Sequence, residues 1–314
     1  MAARIMSSVL RFGVLVVALS VSPVSPLLLV LIPLGVMLVA LRPNDISALL
    51  TGLLMLVLAF ASGVASPGSD WFAQRAWALL LAGGFVVATL TMRHATLLGR
   101  SLWAVLIGGV AVAAAGAIRP EVLAGLDGWM AERVQLASVL LLEWTSSVDS
   151  QPDVAASMAR AITTWAEVQT QVYPAFLALG SLPALALGWY LLGRLTGRPE
   201  EPKPIRAFRF NDHLVWLFAA GLAVYALPLG EAAARIGLNA TVFMVALYVV
   251  RGVAIGVWIL GAAGVSSLTW ALLAIAAVLL YPVALGATFA VGVGDTWLNV
   301  RGRLERFAIS SAGD

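Results

Sequence analysis

Residues Gly292-Val293-Gly294-Asp295 form a Gly-x-Gly-Asp sequence near the end of the chain. An aspartate in this pattern is typical of aspartyl proteases that cut peptides inside membranes. That chemistry needs two carboxylates sharing one proton, so that one activates water while the other protonates the amide. Intramembrane aspartyl proteolysis is therefore the first hypothesis that the sequence raises.

The second carboxylate of such a pair is missing from the neighbouring apolar segments. Leu214–Leu229 and Thr241–Leu260 contain no Asp or Glu, while Asp45, Asp70 and Asp212 fall at segment edges or in loops. The proline-alanine-leucine element that accompanies the motif in these proteases is also absent. We therefore expect a non-enzymatic protein and keep the protease as the less favoured alternative.

A second interpretation makes Asp295 the N-cap of a short helix that lies on the membrane surface. Trp297 and the basic residues Arg301, Arg303 and Arg306 would then form an interfacial anchor, with the arginines near lipid phosphates.

Arg251 is a charged residue about ten positions from either end of the apolar segment Thr241–Leu260. Such a charge is costly in a bilayer and needs a partner. Three interpretations stay open: a pair with a carboxylate such as Asp295 or Glu231, a local break that lets the side chain reach an interface, or a site for an anionic ligand or lipid headgroup. Gly252 and Gly256 would let another helix approach closely.

No cofactor or metal site is expected. The chain has no cysteine, its two histidines, His94 and His213, lie in different polar segments, and its single lysine, Lys203, stands between prolines outside any phosphate-binding loop. The positive charge follows the predicted membrane edges, which argues against nucleic-acid binding.

The composition identifies the class of protein that must hold these residues in place. Of 314 residues, 61% are hydrophobic and 11% are charged, whereas soluble domains have about 25% charged residues. The sequence therefore predicts an all-α, polytopic integral membrane bundle of about eight or nine transmembrane helices. Nine apolar stretches support this: Val9–Val21, Leu27–Leu41, Ile46–Val64, Ala76–Met92, Leu102–Ile118, Tyr173–Leu192, Leu214–Leu229, Thr241–Leu260 and Leu268–Val291.

The segments between these stretches divide the chain. The predicted parts are a five-span bundle (1–118), an amphipathic insert of about two helices broken near Ser146–Gln151 (119–172), a sixth span (173–193), a basic linker (194–212), the last spans (213–292) and an amphipathic basic tail (293–314).

Positive residues predict the orientation. Arg4, Arg11, Arg42, the Arg93–Arg100 loop and the 194–212 linker fall on one side if the spans alternate. The amino terminus is therefore predicted to be cytoplasmic, in a bacterial inner membrane, and the acidic insert extracytoplasmic. We expect a cytoplasmic tail and about eight crossings, with one segment between residues 230 and 292 that enters without crossing.

Gly294, Asp295, Trp297, Arg301 and Arg303 form a closing pattern that resembles the end of the YybS-like family of bacterial membrane proteins. The sequence Tyr248-Val249-Val250-Arg251-Gly252-Val253-Ala254 looks like its penultimate-span motif, in which glutamine is expected in place of Arg251. The opening prolines, Pro23, Pro26 and Pro33, are similar to those of the family and of substrate-binding components of energy-coupling-factor vitamin transporters.

This resemblance covers most of the chain except the acidic insert, and the family is a domain of unknown function. It implies a small-molecule-binding or transport component, with a polar cavity on the extracytoplasmic side of the first six spans. Because the chain has no nucleotide-hydrolysing motif, driven transport would require a coupling subunit. The alternative is an accessory subunit of a membrane complex, and in either case the lipid bilayer is a partner.

Overall fold

The structure is a computed structural model that describes residues 19, 22–62, 69–147, 152–198, 204–299 and 302–303, without the side chains of 69–70, 144–147 and 152–155. Every regular element in these residues is a helix. The ten α-helices are α1 (Pro26–Leu41), α2 (Ile46–Ala61), α3 (Ser69–Thr91), α4 (Leu97–Ile118), α5 (Pro120–Ser147), α6 (Pro152–Leu195), α7 (Val215–Ala226), α8 (Glu231–Ala262), α9 (Ser267–Leu279) and α10 (Tyr281–Leu298). Two 3₁₀ turns, Ile205–Ala207 and Asp212–Leu214, precede α7.

The contacts divide the described chain into two compact units. Helices α1–α6 lie within Val17–Glu201, the N-terminal unit, and α7–α10 lie within Pro202–Asp314, the C-terminal unit. Most of the first predicted span, Val9–Val21, lies outside the described residues.

Helix α1 forms the centre of the N-terminal unit. It contacts α2, α3 and α6, and nine of its sixteen residues are buried. Leu29, Ile32 and Leu38 are fully buried, so the core forms around an apolar helix that has neighbours on most sides. Pro26 begins this helix, where the missing N–H breaks no hydrogen bond.

Arg75 joins α2 to α3 without a described carboxylate. Its guanidinium donates to the carbonyls of Ala59, at 3.2 Å, and of Ser62 near the end of α2, and stacks over Trp71 at 4.4 Å. A cation satisfies the unpaired carbonyls at a helix C-terminus. No motif in the sequence indicates this role of Arg75.

Helices α5 and α6 pack against each other, and α5 is tied to the rest of the N-terminal unit. The Tyr173 hydroxyl donates to Asp127 Oδ1 at 3.1 Å, and Arg133 Nη1 donates to the Pro23 carbonyl at 2.8 Å. The sequence places a boundary at residue 172, but α6 is one helix of 44 residues that contains Pro174 and Pro183. The second amphipathic helix and the sixth span therefore form a single element.

A groove between α5 and α6 is lined by both polar and apolar side chains. Its volume is about 270 Å³. The lining residues are Ala131, Val134, Gln135, Ser138, Thr163, Ala166, Glu167 and Thr170. Its extracytoplasmic location remains a prediction.

In the C-terminal unit, α8 packs against α7 and α10. Helix α9 has no buried residue, and α9 and α10 meet at Leu280 with a bend of 107°. The ninth predicted span, Leu268–Val291, is therefore either a broken span or a re-entrant segment.

The predicted count of eight or nine spans is not confirmed. Four described helices are long and apolar enough to cross a bilayer, within α3, α4, α6 and α8, and the bent pair would make a fifth. Helices α1 and α2 have 16 residues each, about 24 Å, which is shorter than a hydrocarbon core of about 30 Å. Apolar composition does not measure helix length, so the higher count of spans stays a prediction.

Candidate functional site

Arg251 lies in α8 and is completely buried. Its Nε and Nη2 both donate to Oδ2 of Asp295 in α10, at 3.1 Å and 2.8 Å. Asp295 is itself only 3% exposed. The structure thus brings the two residues into a buried ion pair, and this contact corresponds to the first of the three interpretations of Arg251.

Two glycines allow α8 and α10 to approach closely enough for this pair to form. A Cβ added to Gly252 would overlap the backbone carbonyl of Thr288, and one added to Gly292 would overlap that of Tyr248. Gly256 meets nothing within 4 Å, and Gly294 barely reaches Leu298. The first glycine of the Gly-x-Gly-Asp sequence therefore serves helix packing, while Gly256 does not take the packing role that the sequence suggested.

Asp212 approaches the same guanidinium from the other side. Its Oδ1 lies 2.7 Å from Arg251 Nη1, as a close ion pair that lacks the alignment of a hydrogen bond. Asp212 is 38% exposed and also contacts Arg209 Nη2 at 3.3 Å. One buried arginine is therefore shared by a buried carboxylate and a half-exposed one.

The segment that carries Asp212 is not a fully solvated linker. Ile205 and Phe210 are buried, and Phe210 lies under the Arg251 guanidinium at 5.2 Å. Phe210 also makes an edge contact with Tyr248, which contacts Phe289. These aromatic rings exclude water from one side of the charges and strengthen the electrostatic interaction between them.

Asp295 is not an N-cap. Helix α10 continues through it to Leu298 and ends at Asn299, which has a left-handed backbone and donates its N–H to the Asp295 carbonyl. An acidic side chain in the last turn of a helix is unfavourable beside the negative end of the dipole. The positive charge of Arg251 offsets this unfavourable interaction of Asp295 with the helix dipole. The local sequence around Asp295 did not indicate its place in the last turn.

The other predicted site residues have different environments. Glu231 begins α8, 20 residues or about 30 Å from Arg251, so it is not the partner. Trp297 and Arg303 are exposed, in keeping with surface positions; Arg301 and Arg306 lie outside the described residues. Their anchoring role stays a prediction.

The described residues contain no group of three or more histidine or acidic side chains placed to hold a metal ion. Arg251, Asp212 and Asp295 together form what we call the Arg251 cluster. Its cation is the guanidinium of Arg251. The arrangement therefore suits charge pairing and anion recognition, because a guanidinium that is partly released offers donors matched to carboxylate or phosphate.

Acidification should weaken the contact between Arg251 and the half-exposed carboxylate of Asp212. Partial burial alone would raise the pKa of Asp212, but the guanidinium of Arg251, and then that of Arg209, lowers this pKa below its ordinary value. A group with a lowered folded-state pKa stabilises the fold at neutral pH and loses that contribution as the pH falls through it. The melting temperature of the wild type should exceed that of Asp212→Asn at pH 7.

This difference should shrink towards zero below about pH 4, near and below the ordinary aspartate pKa. Thermal unfolding of both proteins in detergent between neutral and acidic pH measures it. A difference that is constant or grows on acidification would contradict the assigned contact.

Comparison with known proteins assigns the chain to a family. The family model described as "Predicted membrane protein (DUF2232)" matches residues 12–296, which include Arg251, Asp212 and Asp295. The chain belongs to this family. The DUF2232 assignment is consistent with the YybS-like resemblance. No curated protein and no solved structure matches the chain.

Proposed function

We propose that this DUF2232 chain is a non-enzymatic membrane protein that binds a small anionic molecule as a component of a transport system. The observation that carries the proposal is the sharing of Arg251 between the buried Asp295 and the half-exposed Asp212. An ionisable residue inside an apolar helix marks a functional site by default.

The two carboxylates have different roles in this proposal. Asp295 is fixed on α10 and holds Arg251 in place at all times. Asp212 precedes α7 and has solvent on one side, so it acts as a latch. When Asp212 moves away, the carboxylate or phosphate of a ligand takes its place on Nη1, and the exchange costs little because one ion pair replaces another.

The same geometry supports a non-enzymatic role. An aspartyl protease requires two carboxylates that hold one proton between them. Here the guanidinium of Arg251 contacts both Asp212 and Asp295, so each carboxylate has a cation as its partner. The similarity to energy-coupling-factor substrate-binding components remains part of the proposal and rests on the opening prolines.

Native mass spectrometry of the freshly extracted protein tests the proposal. A small anionic adduct is expected on the wild type. Its occupancy should rise in Asp212→Asn, which removes the latch but keeps Arg251. It should be lost in Arg251→Gln and in the charge-neutral double variant Arg251→Gln/Asp295→Asn, which leaves no unpaired buried charge in this pair.

Arg206→Gln is the matched control, because Arg206 is exposed on the same segment, and it should keep the adduct. The proposal fails if neither the wild type nor Asp212→Asn carries an adduct, or if the adduct survives in the double variant.

One observation favours the alternative of an accessory subunit. None of the 13 residues of α9 is buried, although the helix is apolar. An accessory role predicts a stoichiometric complex in mild detergent, whereas migration as a monomer at all detergent concentrations would argue against it.

A further inference from the structure

A cavity of about 330 Å³ lies in the N-terminal unit, where the end of α1, the turn before α2 and the end of α6 meet. Its lining residues are Leu41, Arg42, Pro43, Asn44, Asp45, Thr196 and Arg198. None of these residues belongs to the Arg251 cluster, and no part of the proposed function uses the cavity.

The charges in this cavity favour an anion. Asp45 is engaged as the N-cap of α2, where its Oδ1 accepts from Ser47 N at 3.1 Å and from the Ser47 hydroxyl at 2.7 Å. Arg42 and Arg198 form no ion pair with a carboxylate among the described residues. Two guanidinium groups are therefore available to one ligand, with the side-chain amide of Asn44 beside them.

An exposed apolar strip begins immediately beside the cavity on α2. Ile46, which follows Asp45, is 73% exposed, and Leu50, Leu53 and Val57 continue the same face at steps of three or four residues. The strip extends over twelve residues, about 17 Å along the helix axis. A polar, basic cavity that opens onto such a strip matches a molecule with an anionic head and a hydrocarbon tail.

We propose that this cavity binds the phosphate headgroup of an anionic phospholipid, with its acyl chains along the exposed face of α2. Arg42 and Arg198 contact the phosphate, and the side-chain amide of Asn44 provides a further hydrogen bond. Both arginines lie at the predicted cytoplasmic edge, where basic pockets between helices recognise anionic headgroups.

Native mass spectrometry with added lipid tests this site. The probes are phosphatidylglycerol and phosphatidylcholine with the same acyl chains, titrated into the full chain in a neutral detergent. The wild type should bind one phosphatidylglycerol more tightly than phosphatidylcholine. In Arg42→Gln/Arg198→Gln, that affinity should fall by roughly 25-fold, because each basic residue contributes a factor of about five.

Two further variants separate charge from folding. Arg42→Lys/Arg198→Lys keeps both charges and should retain most of the selectivity. Arg93→Gln removes an exposed arginine that is outside the cavity, on the same predicted side, and should bind like the wild type.

Three outcomes would overturn the proposal. Equal affinity for the two lipids would show that the headgroup charge is not recognised. Unchanged binding in Arg42→Gln/Arg198→Gln would place the lipid elsewhere. Complete displacement of the lipid by millimolar inorganic phosphate would show that the cavity takes a soluble anion and that the α2 strip contributes nothing.

Discussion

Asp295→Asn is expected to destabilise the C-terminal unit by about 3–5 kcal/mol, because it leaves the guanidinium of Arg251 buried without its main counter-charge. The loss is large since Arg251 is completely buried and Asp295 is its buried partner. Thermal unfolding in detergent should show a decrease in melting temperature on the order of 10 °C.

Asp212→Asn is the matched control for this prediction. It removes the same charge from the same arginine, but Asp212 is half-exposed and water can replace much of its interaction. Its destabilisation should be well below that of Asp295→Asn. Equal losses for the two variants would mean that Asp295 has no special role in holding Arg251.

Gly252→Ala is expected to destabilise the C-terminal unit by at least about 3 kcal/mol, because the new methyl group would overlap the carbonyl of Thr288 and force α8 and α10 apart. Separation of the two helices would also stretch the ion pair between Arg251 and Asp295. The melting temperature therefore reports both the packing and the charge contact.

Gly256→Ala provides the comparison, four residues along the same helix. Its methyl group meets nothing within 4 Å, so the substitution should be neutral or should stabilise by up to about 1 kcal/mol through helix propensity. The same contrast is expected within the Gly-x-Gly-Asp sequence, with Gly292→Ala disruptive and Gly294→Ala tolerated. Similar effects from all four substitutions would contradict the helix contact described here.

The sequence indicated the all-helical membrane class through its apolar composition. It indicated the unusual position of Arg251 because this charge falls in the middle of an apolar segment. A charge in an apolar helix needs a partner, and Asp295 was among the candidates. The sequence could not identify Asp212, because this residue lies 39 positions earlier in a segment that looked like a solvated linker. Only the packing of Ile205 and Phe210 brings that segment to α8.

The other differences between the sequence-based predictions and the structure also have local causes. Gly252 and Gly256 look equivalent in sequence, and the rotation of α8 against α10 decides which of them is at the contact. The boundary predicted at residue 172 falls inside α6, which continues through Pro174 as one helix. The amphipathic, basic pattern after Asp295 predicted an N-cap at this residue, whereas α10 continues through it to Leu298.

A double-mutant cycle on Arg251 and Asp295 tests most directly whether the two residues form one buried charge pair. The unfolding free energies of the wild type, Arg251→Gln, Asp295→Asn and the double variant should give a coupling energy of at least about 2 kcal/mol. The double variant should then be more stable than the sum of the single losses implies. Losses that add to within about 0.5 kcal/mol would show that the two side chains do not interact, and the site described here would not exist in the folded protein.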